Sequence, residues 1–304
     1  MISVTDPIQR AIDWTKKLLF GPFDFGKWCA IGFTAFLASF VSGGGGGGYR
    51  GRMPGSKGFG GAAHMPSPED AFQAVWHWCL GHLALVGVLA VLALVVMVVF
   101  QWLGARGLFM FLDNVVHGRG EIAAPWTRFR VHANRVLAAI LILDVAYLAV
   151  SAVAVWVGWS LARQDIADME FGAHAIAGIL AAAAILVPCL LVLGIVSLLL
   201  RDFVVPVMYL RNCTVGEGFG ILRRELLAGR GGSFVLFYLM KAVLFLAAAV
   251  VIMFGVCITC CTAGLPYVSS VVFLPVFVFF RAYSLEFMAQ CGAEWRILPE
   301  GSGH

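Results

Sequence analysis

The stretch LALVGVLAVLALVVMVVFQWL, residues 83–103, runs for 21 residues without a charge. A helix needs about 20 apolar residues to cross the hydrocarbon layer of a bilayer. Five further stretches read the same way: 27–45, 136–160, 174–200, 233–258 and 265–285. Backbone polar groups in lipid must be satisfied within their own segment, so runs of this kind are helices and not open strands. The sequence therefore predicts an all-α integral membrane protein of six transmembrane helices.

Composition agrees. The chain is 61% hydrophobic and 12% charged, about half the charge fraction of an ordinary soluble domain. The net charge of +4 is modest and reads as membrane orientation charge, not as a nucleic-acid footprint. Residues 1–291 read as a single membrane domain, with a short tail at 292–304. The chain opens with Asp6, Pro7 and Asp13 and meets its first apolar run near Trp28, which does not read as a secretory signal.

Basic residues fall on alternate connections. With the N-terminus on the cytoplasmic side, 17 Lys and Arg lie on inner segments and four (Arg50, Arg52, Lys57 and Arg163) on outer loops. Basic loops resist translocation, so the bias predicts N-in and C-in orientation in a bacterial cytoplasmic membrane. Trp76, Trp78, Trp102, Trp156 and Trp159 stand near span ends, where an amphipathic ring prefers the interface.

The inner segments repeat a pattern. Trp14-Thr15-Lys16-Lys17 precedes the first span, Trp126-Thr127-Arg128 the third, and Phe219 with Arg223-Arg224 the fifth. The even spans end in Arg106, Arg201 and Arg281, each followed by an aromatic-rich amphipathic stretch. This predicts three parallel two-helix hairpin repeats, 1–110, 111–208 and 209–291, about an axis along the membrane normal.

The inner segments also read as interfacial amphipathic helices. Residues 7–19 place Ile8, Ala11, Ile12, Thr15 and Leu19 opposite Arg10, Lys16 and Lys17, with Asp6 as cap and Pro7 in the first turn. Arg128, His132 and Arg135, at i, i+4 and i+7, form one basic stripe. Lys16, Lys17, Arg128, His132, Arg135, Arg223 and Arg224 are thus the expected contacts to anionic membrane lipid or to a protein partner.

Few residues suggest chemistry. Asp144 and Lys241 are charges inside spans three and five, at similar depth from the same side, and are expected to pair; a proton or ion path is the alternative. Arg201-Asp202 and Arg281 with Glu286 read as interfacial charges, for which snorkelling and surface pairing suffice. Cys257, Cys260 and Cys261 form C-x-x-C-C at an outer helix end, on the same side as His77, Cys79 and His82. Buried thiols are the leading reading, ahead of an outer-side disulfide and of a metal site, because His77 and His82 do not share a helical face well. No cofactor and no catalytic residue are assigned.

Loop 43–66 is a Gly-rich linker, with 11 glycines in residues 43–61. Gly55-Ser56-Lys57 has the wrong order for a phosphate loop. Small residues Ala173, Ala177, Gly178, Ala181 and Ala182 recur in span four and predict close helix packing. Pro188, Pro206 and Pro275 are expected to bend or interrupt their helices.

Arg281-Ala282-Tyr283-Ser284-Leu285-Glu286-Phe287, with Gln290-Cys291-Gly292-Ala293-Glu294, resembles the tail of uncharacterised bacterial six-helix membrane proteins. Asp202-Phe203-Val204-Val205-Pro206, with Met208-Tyr209, resembles their fourth-span exit. Those families are similar to the membrane domain sometimes fused to glycerophosphodiester phosphodiesterases. The resemblance implies the six-helix fold and no reaction, since no phosphodiesterase domain is present. Pro22, Asp24 and Lys27 fit the spacing of the mitochondrial-carrier signature but do not recur.

Overall fold

Every regular element is helical among the described residues, which in this computed structural model are 3–21, 23–41, 77–78, 80–167, 172–258 and 266–299. The Gly-rich loop, Cys79, Cys260, Cys261 and the side chain of Cys257 lie outside them. In chain order the helices are α1 (Asp6–Phe20), α2 (Phe25–Ser39), α3 (Leu83–His117), α4 (Ala123–Arg128), α5 (Arg130–Ala167) and α6 (Ala173–Leu199). A π-helical turn, Leu200–Val204, leads into α7 (Val205–Arg211). Then come α8 (Val215–Ile221), a second π turn at Leu222–Leu226, α9 (Gly231–Ile258), α10 (Pro266–Val272) and α11 (Leu274–Ala289).

Among the described residues four helical segments are long and apolar enough to cross a membrane: Leu83–His117, Arg130–Arg163, Ala173–Arg211 and Gly231–Gly255. The outer stretches expected to span differ from these. Helix α2 has 15 residues, about 22 Å at 1.5 Å per residue and short of the roughly 30 Å layer. The sixth stretch is divided between α10 and α11 at Phe273. Pro275 accounts for the break, because it has no N–H to give the Val271 carbonyl. That carbonyl instead accepts from Trp28 Nε1 of α2 at 2.8 Å.

Burial is concentrated at one end of the bundle. From Gly104 to Val116 every residue of α3 is buried, whereas the preceding apolar turns, such as Val88 at 65% exposure, face outward. Phe203 to Met208, and Ala282 to Leu285 with Phe287 and Met288, join the same core. Rings of Phe203, Phe234, Phe237 and Phe287 pack there, Phe237 and Phe287 at 4.4 Å between centroids. Thus the aromatic-rich stretches that follow Arg106, Arg201 and Arg281, read from the sequence as amphipathic, contribute to the protein core. Fully burying each such side chain stabilises by about 1.5–3 kcal/mol. The far end leaves long apolar helix faces bare, which only lipid or another apolar partner can cover.

The apolar face of α1 is covered by protein too, not by lipid. Ala11, Thr15, Leu18 and Leu19 are buried, and the helix is pinned to α11 through Tyr283 Oη donating to the Val4 carbonyl at 3.1 Å. Two bonds between the Ser3 backbone and the Gln290 amide, both 2.8 Å, close the same contact. Ser3 Oγ, not Asp6, accepts from the first free N–H groups, those of Thr5 and Asp6.

Close approaches are built on glycine. A Cβ on Gly107 would lie 2.5 Å from the Ala38 nitrogen, and one on Gly104 2.8 Å from the Val41 nitrogen, so α2 and α3 touch backbone to backbone. Likewise Gly178 of α6 meets the Gly158 carbonyl of α5 at 2.5 Å from its Cβ position, where the small-residue face was expected. At the far end Asp165 fastens this hairpin. Its Oδ2 accepts from the Ala175 N–H at 2.8 Å and its Oδ1 lies 3.1 Å from His174 Nδ1. The Ala175 N–H, helped by His174, holds the Asp165 carboxyl below its usual range.

Two outcomes follow. Gly107→Val should lower stability by about 1–3 kcal/mol or more through overpacking against backbone, while Gly87→Ala, with open space around it, should be neutral; thermal unfolding in detergent measures both. Asp165 should contribute stability that is present above about pH 4 and is lost as pH falls through its depressed folded value. Asp165→Ala should therefore flatten the acid limb of a melting-temperature profile between pH 2 and 7.

Candidate functional site

Pro206 sets the site. It cannot donate to the Asp202 carbonyl one turn back, and its ring crowds that oxygen. The helix widens to a π turn in which the Val205 N–H bonds to the Leu200 carbonyl, five residues back. Such turns recur at functional positions, and this one carries Arg201 and Asp202. Both border a cavity of about 380 Å³, with Lys241 and Tyr238 of α9 and Arg281 of α11. Its remaining walls are mostly apolar, including Leu198, Phe245, Phe277 and Phe280. Apolar walls with a few convergent polar groups, at a volume within about 300–1,000 Å³, are the form that ligand pockets commonly take.

The charges are organised around Asp202. Lys241 Nζ donates to both of its oxygens at 2.7 Å and lies 3.4 Å from Ser284 Oγ. Both side chains are mostly buried, at 21% and 14% exposure, so the pair is shielded from salt and water. The Tyr238 hydroxyl lies beside the same carboxylate. Arg281, 8% exposed, donates through Nη1 to the Arg201 carbonyl at 2.9 Å, while its Nε and Nη2 have no hydrogen-bond partner among the described residues. The Nε of Arg201 has none either.

The expected partnership of Asp144 with Lys241 is not formed. Asp144 Oδ2 accepts from Gln101 Nε2 at 2.6 Å, across α5 and α3, and acts on Arg201 only electrostatically. Equal depth along two helices does not fix their azimuth, and Lys241 faces the π turn and α11. Arg201, Asp202 and Arg281 do not snorkel to a surface: they border the cavity, and Arg281 is buried. For Arg201 and Asp202 the signal in the sequence is an Arg-Asp pair ahead of a proline inside an apolar run, Asp202 four residues before Pro206.

Of the expected lipid contacts, Lys16, Lys17, Arg128, Arg135, Arg223 and Arg224 are exposed at the core end. His132 is not part of their stripe. Helix α4 ends at Arg128 and α5 starts at Arg130, so the i, i+4, i+7 spacing crosses a break, and His132 turns half-buried toward the Phe109 and Phe129 rings, 6.1 and 6.5 Å away. Among the described residues no group of three His, Cys, Asp or Glu side chains is placed to hold a metal ion; His77 is exposed. Asp24, of the carrier-like spacing, caps α2 by accepting from the Gly26 and Lys27 N–H groups.

The arrangement makes the two members of the ion pair unequal. Asp202→Asn leaves three cations around the cavity without its carboxylate and should cost about 3 kcal/mol. Lys241→Met leaves Asp202 beside Arg201 and Arg281 and should cost clearly less. Unfolding of both variants in detergent tests this, and the reverse order would show that the arginines do not act on Asp202.

A family model described as "Family of unknown function (DUF7544)" matches residues 2–271. No curated protein and no solved structure matches the chain significantly.

Proposed function

We propose that this chain, which belongs to the DUF7544 family of unknown function, is a non-enzymatic multi-pass protein of a bacterial cytoplasmic membrane that binds an anionic amphiphile and serves as a scaffold or regulator. In this reading the six spans are the four long helices, α2, and α10 with α11. They form three parallel hairpins with both termini cytoplasmic. The equivalent positions of Arg106, Arg201 and Arg281 support the repeat, as do the buried stretches that follow each of them. The exposed Lys16, Lys17, Arg128, Arg135, Arg223 and Arg224 would then face the anionic leaflet or a protein partner.

One observation carries the binding role: a buried guanidinium, Arg281, with two donor positions unpaired, beside an apolar cavity. An unpaired buried charge is costly. A ligand with an anionic head and an apolar body would satisfy both parts of the site. Transport of a solute is a second reading, favoured by the depth of Lys241, ten residues into α9. Asp144, paired with Gln101, is peripheral to the cavity.

Native mass spectrometry of the protein from nanodiscs of mixed anionic and zwitterionic lipids should show anionic adducts that survive detergent exchange. Asp144→Asn should leave those adducts unchanged, since asparagine can still accept from Gln101. A bare protein, or equal retention of zwitterionic lipid, would remove the proposal.

A further inference from the structure

The charges around the cavity specify the head group. Lys241 and Asp202 neutralise each other, with both carboxylate oxygens engaged at 2.7 Å. Two guanidinium groups remain, Arg201 and Arg281. Neither forms an ion pair within 4 Å among the described residues. The groups acting on Arg201 are Asp202, Tyr147 and Asp144. Asp202 is held by Lys241, and Asp144 lies outside the cavity lining in its bond to Gln101. Among the described residues Asp202 is the opposing charge that acts on Arg281. Among the described residues the unpaired cavity donors are Nε of Arg201, Nε and Nη2 of Arg281, and the Tyr238 hydroxyl; on Arg281, Nη1 already serves the Arg201 carbonyl.

We propose, building on the amphiphile reading above, that Arg201 and Arg281 bind the terminal phosphate of a phosphate-monoester lipid. A phosphate monoester has a second pKa near 6 and carries about two negative charges at pH 7. It presents three acceptor oxygens, which suits two guanidinium forks. A carboxylate or a phosphodiester brings a single charge, which leaves one arginine uncompensated. The lipid source follows from the walls. Leu198, Ala242 and Phe245 line the cavity and are themselves exposed, so an acyl or isoprenoid chain can pass between them into the bilayer while the phosphate stays on the arginines. A free polar phosphate would gain nothing from these walls.

The test uses the full chain in nanodiscs and measures retention and affinity for phosphatidate, phosphatidylglycerol and oleate, with glycerol 3-phosphate as the soluble competitor. Phosphatidate should bind about tenfold or more tightly than the two singly charged lipids, the scale of one charge-assisted contact. Arg201→Gln and Arg281→Gln should each erase that preference. If Arg281→Gln fails to fold, Arg201→Gln and Arg281→Lys carry the test, the latter keeping the charge and losing the fork. Arg119→Gln, at an exposed cation paired with Glu121 at 3.5 Å, should leave the preference intact, and loss of it there would assign selectivity to the surface and overturn the proposal. Equal binding of phosphatidylglycerol or oleate would overturn the monoester assignment and leave the amphiphile reading standing. Retention of no anionic lipid would overturn both. Competition by glycerol 3-phosphate at the same concentration as phosphatidate would overturn the lipid source.

Discussion

The ion pair between Lys241 and Asp202 is the contact on which the cavity depends. It joins the π turn after α6 to α9, and through Ser284 to α11, the three elements that carry the charged wall. From Ala242 onward most side chains of α9 face outward, so this pair and the Phe234 and Phe237 rings beneath it hold the helix against the core. Desolvation makes such a pair at best a small net contribution, while loss of one partner is expensive. The pair therefore fixes which elements meet more than how strongly they hold.

Geometry at Asp202 begins with an absent donor. Without an N–H at Pro206 the regular hydrogen-bond ladder cannot pass the Asp202 carbonyl, and the wider turn follows. The same device acts at Pro275, where the freed Val271 carbonyl is taken by Trp28. In both places a proline in an apolar helix is compensated locally, as backbone in a low-dielectric setting requires. In the first the compensation positions charges, and in the second it ties α2 to α10.

The long apolar helices were legible because composition and length decide them: nothing but a helix can bury 83–103, and the proline interruptions have a covalent cause. The close α5–α6 contact was legible for the same reason, since Gly178 has no side chain to hold the helices apart. What faces an amphipathic helix is a different matter. Residues 7–19 carry an apolar face that lipid or protein could cover, and only the tertiary arrangement supplies Tyr283 and Gln290 as its neighbours. The aromatic stretch at Phe109 is the same case. Asp144 and Lys241 were matched by depth alone, one coordinate out of the three that a contact needs.

Arg106, in the buried part of α3, is buried as Arg281 is. Its guanidinium lies between the Trp102 and Trp126 rings, 4.4 and 4.6 Å from their centroids, and Nη1 reaches the Trp126 carbonyl at 3.4 Å. Two ring faces give a desolvated guanidinium a favourable field without an anion. Among the described residues no ring stacks on Arg201 or Arg281 in this way; their neighbours are a carboxylate already shared with Lys241 and an open apolar cavity. The fold thus contains a device that makes such an arginine inert, uses it once, and leaves the other two positions bordering space that an anion can enter.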